Sequence, residues 1–167
     1  MIKGTTLCFF GLWVSISLFQ VPLGATDSKP EKIEIPKKTV IAPPESVVQR
    51  YRLDPFYKKY LDADGIAVTS SENVADEALY ETAYLIGHVL QNRPDILELM
   101  SRSNTRVIVI GADEEVSEIP EYYKADPQEA ARQNRRVRGY GGHRLVSCGE
   151  ENLLNLSGDR YRGENIF

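Results

Sequence analysis

Cysteine and histidine are scarce in this chain, and their scarcity excludes two common kinds of site. Of the two cysteines, Cys8 lies in an N-terminal apolar run that we expect to be removed, which leaves Cys148 alone. A lone cysteine excludes a disulfide framework within the mature chain, so Cys148 is buried and free, paired with another chain, or paired with residues not present here. The histidines, His88 and His143, are far apart, and no residues have the spacing of metal ligands. We therefore assign no catalytic residue and no metal ligand.

The chain also lacks a basic excess and a long hydrophobic run. Its 20 Lys and Arg residues stand against 24 Asp and Glu residues, a formal net charge of −4. An acidic balance argues against nucleic acid as a partner, because phosphate binding needs a basic face. The longest apolar run, from Leu7 to Val21, has about 15 residues, fewer than the roughly 20 of a transmembrane helix. We therefore expect no transmembrane segment.

What is present at the N-terminus is the pattern of a secretory signal peptide over residues 1–25. Lys3 supplies the positive start, Pro22 ends the apolar core, and Ala25 is a small residue at the cleavage position. These features predict cleavage after Ala25 and a secreted, extracellular chain.

The residues that follow predict an arm and then one domain. Residues 26–44 contain Pro30, Pro36, Pro43 and Pro44 and few large apolar groups, which predicts an extended linker. The globular domain is expected to span residues 45–167. Because the chain ends on the apolar pair Ile166–Phe167 in what resembles a helix entry, we expect this domain to be incomplete at its C-terminus and the chain to be a fragment.

Helical patterns dominate the domain. Leu79, Ala83, Ile86 and Leu90 recur at helical spacing and predict a helix over 74–92, with Asn73 as its N-cap. Further helices are expected over 45–61, interrupted at Pro55, from Pro94, and from Asp126–Pro127 to about Arg136. His88 should share a helix stripe with Tyr80 and Tyr84.

Strand patterns are fewer. The β-branched run 106–111 predicts a strand buried on both faces, and 66–68 a short strand. Asp62–Gly65 reads as a turn, and 139–152 as a glycine-rich loop. The predicted fold class is α+β (or α/β), helix-dominated, with a small sheet containing strand 106–111.

Two charge clusters and one sequon complete the sequence features. The basic cluster is expected to be a solvated face, balanced by an acidic run, with an anionic surface or polysaccharide as an alternative partner. The basic residues are Arg132, Arg135, Arg136 and Arg138, and the acidic ones Asp113, Glu114, Glu115 and Glu118. Asn155-Leu-Ser157 is a candidate N-glycosylation site of a glycoprotein.

Two segments together resemble a group of secreted zinc-metallopeptidase-like proteins. One is Asp54-Pro-Phe-Tyr-Lys-Lys-Tyr-Leu-Asp-Ala-Asp-Gly65; the other is Ser147-Cys-Gly-Glu-Glu-Asn-Leu-Leu-Asn155, followed by Gly158-Asp159 and Gly163-Glu-Asn-Ile166. In such relatives the last segment runs into a helix with His-Glu-x-x-His, whose histidines bind zinc and whose glutamate is the general base.

This chain stops before that motif, so the resemblance carries over no zinc ligand or general base. It implies instead a site-wall loop formed by Cys148, Glu150, Glu151 and Asn152, and a zinc cofactor only in a longer form. The expected function is the N-terminal part of a secreted metallopeptidase-like protein. The alternative is a non-enzymatic extracellular matrix or mineral-associated protein.

Overall fold

The computed structural model describes residues 38–159 and Arg162. The predicted signal peptide, its cleavage site after Ala25, residues 26–37 of the predicted arm and Gly163–Phe167 lie outside these residues. The described helices are α1 (Glu45–Tyr51), α2 (Asp76–Leu90), α3 (Pro94–Arg102), α4 (Pro127–Arg136) and α5 (Glu150–Leu153). The described strands are β1 (Lys59–Ala63), β2 (Ile66–Ser70), β3 (Arg106–Ile110) and β4 (Leu145–Gly149).

The four strands form one mixed sheet in the order β1-β2-β3-β4. β1 and β2 are an antiparallel hairpin, whereas β3 is parallel to both β2 and β4. The hairpin turns at Asp64 and Gly65, whose φ angles are 55° and 88°. An Asp-Gly pair suits two successive positive φ angles because glycine has no Cβ and Asp tolerates this region. This mixed sheet with its helices confirms the predicted α+β class.

The sheet has a hydrophobic core on each face, and β3 contributes to both. Val107 and Val109 face the core that α2 and α3 cover, while Ile108 and Ile110 face the core beneath α1 and the loop after β3. All five residues of β3 are buried, which confirms the predicted two-sided strand.

Both edges of the sheet are paired over a short stretch. At the β1 edge, Ile41 exchanges two backbone hydrogen bonds with Tyr60, and Lys38 forms an ion pair with Asp64. At the β4 edge, Ser147 N–H donates to the Tyr140 carbonyl at 2.8 Å. Such pairing blocks association of further strands. Residues 38–41, within the stretch predicted to be an extended linker, therefore contact the β1 edge of the sheet.

Several predicted elements need correction. The helix expected to reach Leu61 ends at Tyr51, because Lys59–Ala63 pairs with β2. Residues 145–152 of the expected loop lie in β4 and α5, since β4 completes the sheet beside β3. The helices predicted near 74–92, from Pro94 and over 127–136 are confirmed, but Ala75 and not Asn73 is the N-cap of α2.

Candidate functional site

The carboxyl ends of the three parallel strands meet at one edge of the sheet, beside a cleft of about 460 Å³. In open sheets with parallel strands this edge is where ligands bind, because loops after neighbouring strands converge there. We call this hollow the carboxyl-edge cleft. It is lined by Ala112–Glu115 after β3, by Asn134 of α4, by Arg138 and Glu151, and by Leu156–Gly158.

Glu150 ties two loops of this edge together. Its buried carboxylate accepts a hydrogen bond from Ala75 N–H at 2.7 Å and from Ala112 N–H at 2.9 Å. The first of these N–H groups belongs to the N-cap of α2, and the second follows β3. Glu150 thereby binds the N-cap N–H of α2, the group that a capping-box side chain at the third helical position would accept from, where α2 has Ala78.

Glu151 and Arg138 form a buried ion pair across the cleft wall. Arg138 Nε and Nη2 donate to the two Glu151 carboxylate oxygens at 2.6 and 2.9 Å. The same guanidinium donates to the carbonyls of Glu114 and Gly111 at 2.6 and 2.9 Å. Hydrogen bonding to Glu151 raises the pKa of Arg138 above its ordinary value. Arg138 thus fixes the loop after β3 to the start of α5.

Gly149 makes the position of the Glu151 side chain possible. A Cβ on Gly149 would lie 2.6 Å from Glu151 Oε2, closer than a carbon atom can approach. The glycine before Glu150 therefore lets the second carboxylate fold back against the strand end, toward Arg138.

Glu114 is a third carboxylate held inside this network. It accepts hydrogen bonds from Gly111 N–H at 2.8 Å and from Asn73 Nδ2 at 3.1 Å. The sequence placed Glu114 and Arg138 in opposing surface clusters, and both instead have central roles here. Two signals in the sequence could have distinguished these residues from their surface clusters. Glu114 follows the strand-closing Gly111 by three residues, and Arg138 lies beyond the end of the polar helix.

The other residues of the predicted site wall lie near the cleft without lining it. Cys148 is in β4 and packs against the core on the α2 side, where burial raises its thiol pKa to about 12. Asn152 donates from Nδ2 to Asp159 Oδ1 at 2.7 Å. Of the four predicted residues, Glu151 is the one that lines the cleft. The segment predicted to be a loop is the end of β4 and the start of α5.

Asn155, the candidate glycosylation site, is exposed on the rim of the cleft. It follows α5 with a φ angle of 52°, and the next three residues line the cleft. Of the remaining sequence candidates, His88 stacks on Tyr84 with ring centroids 5.7 Å apart, as its stripe predicted, and His143 is in an exposed loop.

Three carboxylates of this edge are already engaged. Glu114, Glu150 and Glu151 each accept hydrogen bonds from groups of the same domain, so the network fixes three loops in place. Within the described part of the chain, no group of three or more His, Cys, Asp or Glu residues could hold a metal ion. The described network therefore forms a rigid wall along one side of the cleft.

Residues 38–159 and Arg162 contain no helix with the length and apolar character that crossing a membrane requires. Comparison of the chain with protein-family models, with curated proteins and with solved structures gives no match.

Proposed function

We propose that this chain is the N-terminal part of a secreted zinc-metallopeptidase-like protein and that the carboxyl-edge cleft is one wall of its site. The observation that carries the proposal is the path of the segment with the most specific resemblance. Ser147–Asn155 runs along the end of β4, through α5 and onto the rim of the cleft. The chain that follows would start from this edge of the sheet.

The internal network supports this role, because a site needs a rigid support. Glu150 and the Glu151–Arg138 pair join the start of α2, the loop after β3 and the start of α5. Residues locked by hydrogen bonds behind a site hold its geometry better than loops alone. The described residues offer no ligand set for zinc. On this proposal zinc would be held by residues of a longer form, and no chemical step is assigned to the residues described.

The alternative, a matrix or mineral-associated protein, would need its carboxylates at the surface. Glu114, Glu150 and Glu151 are each less than a tenth exposed and accept hydrogen bonds inside the fold. These carboxylates are unavailable to a mineral surface. Their burial argues against these three carboxylates as a mineral-binding surface.

The test compares this chain with the longer protein that the same mRNA would encode. We expect the codons after Phe167 to encode His-Glu-x-x-His, and the longer protein to hydrolyse an unstructured peptide in a reaction that a zinc chelator stops. The 167-residue chain should show no such activity. The matched control is the longer protein with the glutamate of the motif changed to glutamine. An in-frame stop, or a motif-bearing protein without chelator-sensitive hydrolysis, would overturn the proposal.

A further inference from the structure

The single N-glycosylation sequon of the chain, Asn155-Leu-Ser157, lies at the rim of the carboxyl-edge cleft. Leu156, Ser157 and Gly158 line the cleft, and Asn155 directly precedes them. Because consecutive Cα atoms are about 3.8 Å apart, the Cα atom of Asn155 is at that distance from the Cα atom of a cleft-lining residue. A group attached to the Asn155 side chain therefore starts beside the cleft.

The end of α5 fixes the backbone position of Asn155. The φ angle of Asn155 is 52°, and Leu156 N–H donates to the Glu151 carbonyl at 3.0 Å. This hydrogen bond closes helices whose first residue beyond the C-cap is in the left-handed region, a position that glycine usually and asparagine sometimes occupies. The attachment point is therefore part of the helix cap, and its location relative to the cleft is set by α5.

The polar residues of the sequon are accessible in the folded domain. Asn155 and Ser157 are exposed, while Leu156 between them is half-buried. An N-linked glycan is bulky and strongly hydrated, so the asparagine that carries it must reach the surface. The exposure of Asn155 means that the domain can carry a glycan here while α5 and its cap stay folded.

The size of the cleft decides which ligands a glycan at its rim would obstruct. The cleft volume is about 460 Å³, which is the size of a small-molecule site. A small molecule or an extended peptide needs only a narrow approach to such a site. A folded protein must instead cover a wide surface around it. A glycan attached beside Leu156 occupies that surrounding surface, so it obstructs the folded protein far more than the small ligand.

We propose that Asn155 carries an N-linked glycan that closes the carboxyl-edge cleft to folded proteins and leaves it open to small molecules and extended peptides. In the modification, Asn155 Nδ2 forms a bond to the anomeric carbon of an oligosaccharyl diphosphate, the donor of the secretory pathway. The bond from that carbon to the diphosphate oxygen breaks, the diphosphate leaves with the electron pair, and Nδ2 loses one proton. The inference rests on the secretion that the proposed function includes, and it names the ligands that the cleft admits.

Mass spectrometry of the chain secreted by cultured animal cells tests the modification. Treatment with peptide N-glycosidase should remove the mass of one glycan from the unchanged chain and from Ser157→Thr, which keeps the sequon. Asn155→Gly should lose no mass, and it keeps the fold because glycine suits the positive φ angle. A chain without a glycan, or a glycan that persists in Asn155→Gly, would overturn the proposal. This readout needs no zinc and no peptidase activity, so its outcome is separate from that of the proposed peptidase.

Thiol labelling tests whether the glycan closes the cleft by size. Asp113→Cys places a thiol in the cleft lining, and Leu99→Cys places the control thiol on α3 at a position that is 65% exposed. Because α3 leads into the amino end of β3, this control lies away from the carboxyl edge. Cys148 contributes little labelling because its thiol is buried, and the unchanged chain measures that background.

The rates with a small maleimide and with a maleimide on a long polyethylene glycol chain are compared before and after glycan removal. We expect the glycan to slow the large reagent about tenfold at Asp113→Cys, which is a modest change in barrier height. The small reagent at the same thiol and both reagents at Leu99→Cys should keep their rates. Equal rates of the large reagent at Asp113→Cys with and without the glycan, or equal slowing at Leu99→Cys, would overturn the proposal.

Discussion

The carboxyl-edge cleft and the outer face of α3 treat their charged groups in opposite ways. In the cleft, the carboxylates of Glu114, Glu150 and Glu151 accept hydrogen bonds from the domain itself. On α3, Arg102 pairs with Glu98 while both side chains remain more than half exposed. The cleft network stabilises the fold, whereas a surface ion pair contributes little because water screens it. Substitutions in the two regions should therefore change stability by very different amounts.

Glu151→Ala should have the largest effect, because it leaves Arg138 buried without its carboxylate partner. The two side chains are 8% and 10% exposed. Breaking a buried pair from one side costs about 3–5 kcal/mol of unfolding free energy. Urea unfolding followed by circular dichroism measures the loss. Arg102→Ala, at an exposed pair, should change stability by less than about 1 kcal/mol; an equal effect of the two variants would show that the cleft pair is no more than a surface contact.

Glu150→Gln should have a smaller effect on the same wall. The amide keeps one acceptor oxygen, so one of the two hydrogen bonds to Ala75 and Ala112 is lost, together with the charge. We expect a loss of about 2 kcal/mol in unfolding free energy. Amide hydrogen exchange should show the change at the first turn of α2 and after β3; unchanged protection there would contradict the capping role.

Alkaline pH should weaken the fold through Cys148. Its pKa is raised from 9.0 to about 12, mainly by burial and secondarily by Glu151. The neutral thiol is therefore favoured in the folded state, and its contribution is complete below pH 9 and lost as pH rises from 9 to 12. The slope from this thiol approaches about 1.4 kcal/mol per pH unit. Urea unfolding at a series of pH values measures how the unfolding free energy falls between pH 9 and 12. Cys148→Ala should reduce this slope by the share of the thiol. The same slope in the variant and the unchanged protein would contradict the burial of the thiol.

Gln133→Leu should have the smallest effect and the opposite sign. It replaces a half-buried amide, whose buried Oε1 has no partner among the described residues, with an apolar group of similar size. We expect a gain of about 0.5 kcal/mol in unfolding free energy. A loss of stability comparable to that of Glu150→Gln would show that Gln133 is held by contacts as strong as those of the cleft.

Local sequence patterns predicted the elements whose burial follows directly from the spacing of their apolar residues. The spacing of Leu79, Ala83 and Ile86 indicated α2, because a helix buried on one face has apolar residues at helical spacing. The run 106–111 indicated β3, because a strand buried on both faces is apolar throughout. β1 was missed although Leu61 and Ala63 are buried around the exposed Asp62 and an Asp-Gly turn follows. The aromatic residues before it favoured continuing a helix.

The candidate site was less accessible to sequence reasoning. β4 contains Gly149 and follows three other glycines of the predicted loop, and it forms a strand because β3 offers it a parallel partner. Glu150 and Glu151 were singled out by resemblance alone. Their partners, such as Ala75 N–H and Arg138, are backbone groups and side chains that the fold brings together from distant positions, so no local pattern predicts them.

The zinc content of the two forms tests the central claim most directly. The 167-residue chain and the longer product of the same message, purified side by side and dialysed against trace zinc, are analysed by atomic absorption. We predict one zinc ion per molecule in the longer form and none bound stoichiometrically to the 167-residue chain. Stoichiometric zinc in the shorter chain, or a longer form that contains His-Glu-x-x-His and binds no zinc, would contradict the claim that this chain is the N-terminal part of a zinc-metallopeptidase-like protein.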